Sequence, residues 1–151
     1  SRTSSSYGAM FGIFLAQKLA GKKLTVVGNG KQKRDFLYVT DLCRALIIAS
    51  KKCSNSEIYN IGSGKTYSIN KIIKILKEER NVINIPKRPG EPEITHANIN
   101  KFQKATNWKP KITIEEGVKM ILDKIEYWKN APVWTPKTIT KATKEWFDKL
   151  G

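Results

Sequence analysis

The sequence predicts an α/β fold. Short β-branched runs alternate with amphipathic helical stretches along most of the chain, and glycine-bearing turns separate several of them. With 151 residues, 40% of them hydrophobic, it is long enough to bury one core.

Each element has a local reason. Tyr7 to Leu19 carries Met10, Phe11, Phe14, Leu15 and Leu19 at helical spacing, and Gly21 stops that helix. Leu24 to Val27 is a strand closed by Gly28-Asn29-Gly30, and Asp35 to Val39 reads as a second strand. Thr40 reads as the N-cap of a helix from Asp41 to Lys51, with Leu42, Ala45, Leu46 and Ala49 on its core face. Glu57 to Ile61 reads as a third strand ending in Gly62-Ser63-Gly64. Ser68 then caps a helix with the stripe Ile69, Ile72, Ile73 and Leu76.

Val82 to Ile85 is a fourth strand, followed by a loop from Pro86 to Pro92. Asn98 reads as the cap of a short helix ending at Thr106. Thr113 and Glu116 form a capping box for a helix through Val118, Ile121, Leu122, Ile125 and Trp128. Pro132 ends it, and Thr135 to Leu150 reads as a last helix bearing Trp146 and Phe147. The four tryptophans read most simply as packing residues. The domain reading is one region, 1–130, and a helical tail, 131–151.

A net charge of +15 is the strongest compositional signal. It leaves three readings open: solvated surface lysine, a nucleic-acid-binding face, or local attraction for small anions. The lysines are spread along the chain without an arginine-rich arm or an aromatic RNP-like strand, so no nucleic-acid partner is expected. No apolar run approaches the roughly 20 residues of a membrane span, and no signal peptide is evident in a chain that opens without Met, as a trimmed piece would. Cys43 and Cys53 match no metal or redox spacing, so no metal is expected, and two plain thiols suit the cytoplasm.

Catalytic constellations are missing. His96, the only histidine, has no nucleophile at a recognised spacing. Gly62-Ser63-Gly64 lacks the third glycine and later acid of a dinucleotide fingerprint, so it reads as a tight turn. Tyr67 and Lys71 spell Y-x-x-x-K, but Ser68 as a helix cap places Tyr67 ahead of the helix rather than on its face. That match reads as accidental, and no catalytic or cofactor-binding residue is assigned.

Four stretches agree in order and spacing. Gly28 to Asp41 resembles the run G-x-G-x-x-x-R-D-[FWY]-x-[YH]-V-x-D, and Tyr59 to Gly64 resembles Y-N-x-G-x-G. Arg88-Pro-Gly-Glu91 resembles R-x-G-D, and Asn107 to Pro110 resembles L-G-W-x-P. From about residue 7 to 128 the chain resembles the NAD-dependent nucleotide-sugar epimerase/dehydratase family. The implied fold is the C-terminal part of an extended Rossmann-type short-chain dehydrogenase, mainly its substrate-binding region. By that resemblance Arg34 and Arg88 grip a diphosphate, which suits the planar donor fork of a guanidinium. Glu91, where the family usually has Asp, accepts ribose hydroxyl protons. The backbone at Val27 meets the nucleotide base, and Tyr7 and Phe11 border the pocket.

Other readings of these residues stay open: Arg34-Asp35 as a surface ion pair, Glu91 as a turn residue, Asn98 as a cap only. The resemblance further implies an enzyme that moves hydride from sugar C4 to NAD and forms a 4-keto intermediate. An epimerase, of the UDP-glucose 4-epimerase kind, returns the hydride on the other face; a 4,6-dehydratase first loses water. NAD and the acid/base pair are expected on an N-terminal half outside these residues, and the full-length enzyme is expected to be a homodimer. This chain alone is expected to be inactive. The alternatives are a stand-alone nucleotide-sugar-binding module and a basic nucleic-acid-binding domain.

Overall fold

The computed structural model describes residues 9–53 and 56–150. Its elements are α1 (Met10–Leu19), β1 (Leu24–Val27), β2 (Lys33–Arg34), α2 (Val39–Lys52), β3 (Tyr67–Ser68) and α3 (Ile69–Ile75). Then follow β4 (Val82–Ile85), β5 (Ile94–Thr95), α4 (Asn100–Thr106), α5 (Ile114–Leu122), a 3₁₀ turn (Ile125–Trp128) and α6 (Pro136–Leu150).

Two small sheets result. β1 and β4 run parallel, with Leu24 opposite Val82 and Val27 opposite Ile85. β2 is the centre of the other, antiparallel to β3 through Arg34 and Tyr67 and parallel to β5 through Arg34 and Thr95. The second backbone edge of β1 is met by a side chain. Buried Gln17 accepts the Thr25 N–H at 3.1 Å, and donates to Thr25 Oγ1 at 2.9 Å and to the Trp134 carbonyl at 2.8 Å. One amide thereby ties α1, β1 and the segment leading into α6, satisfying groups that burial would otherwise leave unpaired.

The apolar faces of α1, β1, α3 and α5 form the larger core around Phe14, Leu15, Leu24, Val26, Ile72, Leu76 and Val118. Ala45, Ile99, Phe102 and Trp108 form a second one between α2 and α4. The helix starts mostly follow the local chemistry. Ser68 Oγ accepts the Lys71 N–H, and the Thr113/Glu116 capping box is complete. Asn98 Oδ1 accepts the Asn100 N–H. Gly30, at φ +71°, turns the chain where a Cβ would lie 2.1 Å from Asn70 Oδ1.

Several expectations need correction. Asp35 to Val39 is not a strand: pairing ends at Arg34, and Asp35 turns its carboxylate to neighbouring backbone. Thr40 does not cap α2, which begins at Val39 after Tyr38, whose carbonyl accepts the Asp41 and Leu42 N–H groups. Glu57 to Ile61 keeps a strand's alternation, with Tyr59 and Ile61 half-buried and Ile58 84% exposed. Among the described residues no neighbouring strand pairs with it, so it forms no ladder. Leu42 and Leu46 point outward, Leu46 at 56% exposure. α5 tightens after Leu122, and Ile125 to Trp128 follow as the 3₁₀ turn. No helix among the described residues is long and apolar enough to cross a membrane.

Asp41, 1% exposed, locks α2 to the approach to α5. Its carboxylate accepts the backbone N–H of Lys111 at 2.8 Å and of Ile112 at 2.9 Å, and the Arg44 guanidinium at 2.6 Å. Burial pushes this carboxyl up, but the bonds from Ile112, Arg44 and Lys111 outweigh it and hold it below its ordinary value. The stabilisation is therefore present above the unfolded carboxylate pKa and is lost as pH falls through the lowered folded value. Asp41→Ala is expected to cost about 3 kcal/mol in urea unfolding. It should also shrink the fall in stability seen below about pH 4. A parent-like urea midpoint at neutral pH and a parent-like loss of stability below about pH 4 would refute the role.

Candidate functional site

A cleft of about 400 Å³ opens beside the ends of β1 and β2, lined by Met10, Val27, Gln32, Arg34, Arg88 and Glu91 among others. An adjoining hollow of about 310 Å³ shares Val27, Gln32 and Glu91 with it. β1 delivers Val27 and β2 delivers Arg34. The loop from β4 to β5 delivers Arg88 and Glu91, with Gly90 at φ +70° in its turn.

The three charged residues meet. The Arg88 guanidinium donates through Nε to Glu91 Oε2 at 2.9 Å and through Nη2 to Oε1 at 3.0 Å, a two-point fork. Arg34 Nη2 reaches the same Oε1 at 3.1 Å, and Arg34 Nη1 donates to the Lys33 carbonyl at 2.9 Å. All three side chains are about four-fifths buried. Two guanidiniums around one carboxylate leave a local excess of one positive charge, on donors whose orientation is already set. Such a wall suits an anion with several oxygens more than a single carboxylate.

Val27 contributes backbone, and its carbonyl accepts the Gln32 side-chain amide at 2.9 Å while keeping a second lone pair. Phe11 does not line the cleft. Its ring sits edge-on to Phe36, centroids 5.4 Å apart, and Phe36 forms part of the wall. Tyr7 lies outside the described residues. Met10, Gln32 and Phe36 were not legible as site residues, because their placement depends on how α1 packs across the strand ends.

Neighbouring residues of the Arg34-Asp35 pair take separate tasks. Asp35 accepts the Ser63 N–H at 2.7 Å, the Ser63 hydroxyl at 2.6 Å, and the Gly64 N–H at 3.1 Å. The pair is therefore not a surface ion pair: the arginine serves the cleft and the aspartate pins the glycine turn. Those amides are thus already engaged, and a Cβ on Gly62 would meet Ala97 Cβ at 2.5 Å. The turn therefore does not fit the pyrophosphate of a dinucleotide, which needs free amides and close backbone approach. Tyr67 sits in β3, and Lys71 Nζ is engaged by Glu115 at 3.0 Å, so the two form no acid/base pair. Among the described residues no group of three or more His, Cys, Asp or Glu side chains is placed to hold a metal ion.

Comparison with known proteins follows the same outline. A family model described as GDP-mannose 4,6 dehydratase matches residues 10–121. UDP-glucuronate 4-epimerase from Thermodesulfobacterium geofontis is 43% identical over 105 residues, covering 65% of this chain and 32% of the relative. A solved UDP-glucose 4-epimerase with UDP-glucose, from Thermotoga maritima, aligns at a TM-score of 0.72 and 30% identity, covering 83% of this chain and 40% of that one. UDP-glucuronic acid 4-epimerase from Bacillus cereus, solved with UDP-glucuronic acid and NAD, aligns at 0.70 and 31% identity, covering 78% and 40%. The chain spans about a third of the length of the curated relatives it matches, 32%, 34% and 37% for three of them.

The glycine turn supplies a test of the scaffold. Gly62→Ala forces a Cβ to within 2.7 Å of Asp35 Oδ2 as well as against Ala97, and is expected to destabilise by about 1–3 kcal/mol. Asp35→Asn replaces an acceptor oxygen by a donor facing N–H groups, and is expected to cost on the order of 2 kcal/mol. Urea unfolding of both variants checks this, and parent-like midpoints would show that the turn is not held as described.

Proposed function

We propose a function from one premise: this chain belongs to the NAD-dependent nucleotide-sugar epimerase/dehydratase family, the extended short-chain dehydrogenases. On that premise it is the nucleotide-sugar-binding portion of a 4-epimerase or 4,6-dehydratase and is inactive alone. The observation that carries this reading is the convergence of Arg34, Arg88 and Glu91 on one cleft.

In this reading a nucleoside diphosphate sugar enters with its diphosphate against Arg34 and Arg88. The incoming oxygens compete with Glu91 for the guanidinium donors, which frees the carboxylate to accept from a ribose hydroxyl. The base lies along the backbone at Val27 beside Gln32. Phe11 acts through Phe36. Each charge-assisted bond to the diphosphate contributes roughly 1.5–3 kcal/mol.

NAD would supply the hydride chemistry of the whole enzyme. The residues present do not form its site, so we assign it and the acid/base pair to an N-terminal half. A bare face on this chain supports such a partner. Val39, Leu42 and Leu46 share one side of α2 and are exposed, with Ile47 beside them. Val39 continues into an apolar groove of about 320 Å³ that includes Phe11, Leu37, Ile114 and Trp128. The unpaired stretch Glu57 to Ile61 would gain a ladder from a neighbouring strand. A stand-alone binding module has no use for such a face. Cytoplasmic location and homodimerisation of the full-length enzyme belong to the same proposal.

NMR titration with UDP tests the site. Arg34→Ala and Arg88→Ala should each weaken binding about tenfold or more, and parent-like affinity in both would overturn the assignment. Incubated with UDP-glucose and NAD, the chain alone should give neither a reduced-cofactor signal nor an altered sugar. Robust turnover would overturn the half-site reading.

A further inference from the structure

We propose that Trp146 on α6 is a positioning residue that sets how Arg88 is presented to a diphosphate. This rests on the reading of Arg88 given above. α6 lies beyond residues 10–121, the part that the family model matches, so nothing in that match assigns it a role.

The helix is anchored at its start. The Thr135 N–H donates to Thr138 Oγ1 at 2.9 Å and the Thr138 N–H to Thr135 Oγ1 at 3.3 Å, a reciprocal cap. Ile139 and Thr143 are buried on the face that also carries Trp146. That face lies over the end of β4 and the loop that follows, but it does not fill the space beneath. A hollow of about 180 Å³ remains among Ile85, Pro86, Arg88, Ile139, Thr143 and Phe147. Packing therefore holds the loop only in part. Its internal turn is also long, with the Glu91 N–H 3.3 Å from the Arg88 carbonyl.

Trp146 bridges this slack with two contacts. Its indole Nε1–H donates to the Pro89 carbonyl at 2.9 Å. Its ring lies under the Arg88 guanidinium, the central carbon 5.2 Å from the ring centroid. Arg88 thus has the indole ring beneath its guanidinium and the Glu91 fork along its edge. Between the two, the guanidinium has less freedom to turn its donors away from the cleft. Trp146 is 40% exposed, so it is more than a packing residue and can be replaced without opening the core.

The experiment compares the parent chain with Trp146→Phe, which keeps a ring but loses the N–H, and Trp146→Leu, which loses both. UDP and uridine are titrated against each, because orientation of Arg88 affects only the diphosphate increment. The parent is expected to prefer UDP. Trp146→Leu should lose roughly threefold to tenfold of that preference with uridine affinity unchanged, and Trp146→Phe should fall between. Hydrogen exchange at the Gly90 and Glu91 amides, measured without ligand, should quicken in the same order. Parent-like exchange and UDP preference in both variants would overturn the proposal, as would faster exchange with the preference intact. A parent without UDP preference would overturn the diphosphate reading and the positioning role with it, while exchange would still report whether Trp146 holds the loop.

Discussion

A buried or half-buried backbone needs a partner for every N–H and C=O, and that constraint decides where the working residues of this chain sit. β1 finds β4 on one edge and the Gln17 amide on the other. β2 finds β3 and β5. Four of the residues at the cleft stand on these paired strands or in the loop between two of them: Val27 and Arg34 on β1 and β2, Arg88 and Glu91 between β4 and β5. A side chain can be aimed only from backbone that is itself held. The cleft therefore lies beside the strand ends, where fixed geometry meets open space.

Acids in a chain with 28 basic and 13 acidic residues are informative because there are few of them. Asp35 and Asp41 both organise backbone, one gathering the amides of the glycine turn and the other clasping Lys111 and Ile112. Glu91 alone gathers two arginines at the cleft. Had it been an Arg or Lys, the two guanidiniums would repel a third charge. Had it been apolar, the donors that now meet it would lose their shared charged acceptor in half-buried surroundings. The carboxylate therefore gathers the arginines at the cleft in the absence of ligand, so that an incoming anion exchanges for it at donors already brought together.

Much of this was legible in the sequence wherever local chemistry governs. Ser68 and the Thr113/Glu116 box announced their helices, and Leu24 to Val27 and Val82 to Ile85 announced strands with the right bounds. The motif order brought Arg34, Arg88 and Glu91 together on paper before their geometry was known. What was not legible depends on contacts made at a distance. Asp35 to Val39 has β character, yet after the Asp35 N–H meets the Thr95 carbonyl the ladder stops, and the Asp35 carboxylate gathers the amides of Ser63 and Gly64 instead. The family resemblance puts Phe11 at the pocket border, but its ring packs on Phe36, which forms the wall in its place. Trp146 looked like packing because no local pattern tells a tail helix which loop it will meet.

Glu57 to Ile61 is the most telling departure, because there the sequence signal is sound and the partner is what differs. The residues alternate inward and outward as a strand does, with Tyr59 and Ile61 against the second core and Ile58 in the open. Beside that stretch in the chain, α2 turns Val39, Leu42, Leu46 and Ile47 outward. Of its basic residues, Lys52 falls on the other side by the helical period, whereas Arg44 and Lys51 flank Ile47, three residues before it and four after. A chain this rich in lysine would not leave the apolar arc bare by shortage of charge. A polyanion or an anionic surface would draw on cations, and the centre of the arc at Val39, Leu42 and Leu46 has none beside it, so electrostatics does not explain it. Apolar burial with strand pairing does: a protein surface that adds one strand along Glu57 to Ile61 and lies on α2 would satisfy both the backbone and the exposed side chains. The same chain thus has a cleft whose donors are already gathered and, elsewhere, exposed apolar side chains on α2 and a stretch of strand alternation without a ladder. That division is what one expects when binding of substrate and the chemistry upon it are carried by different parts of a larger fold.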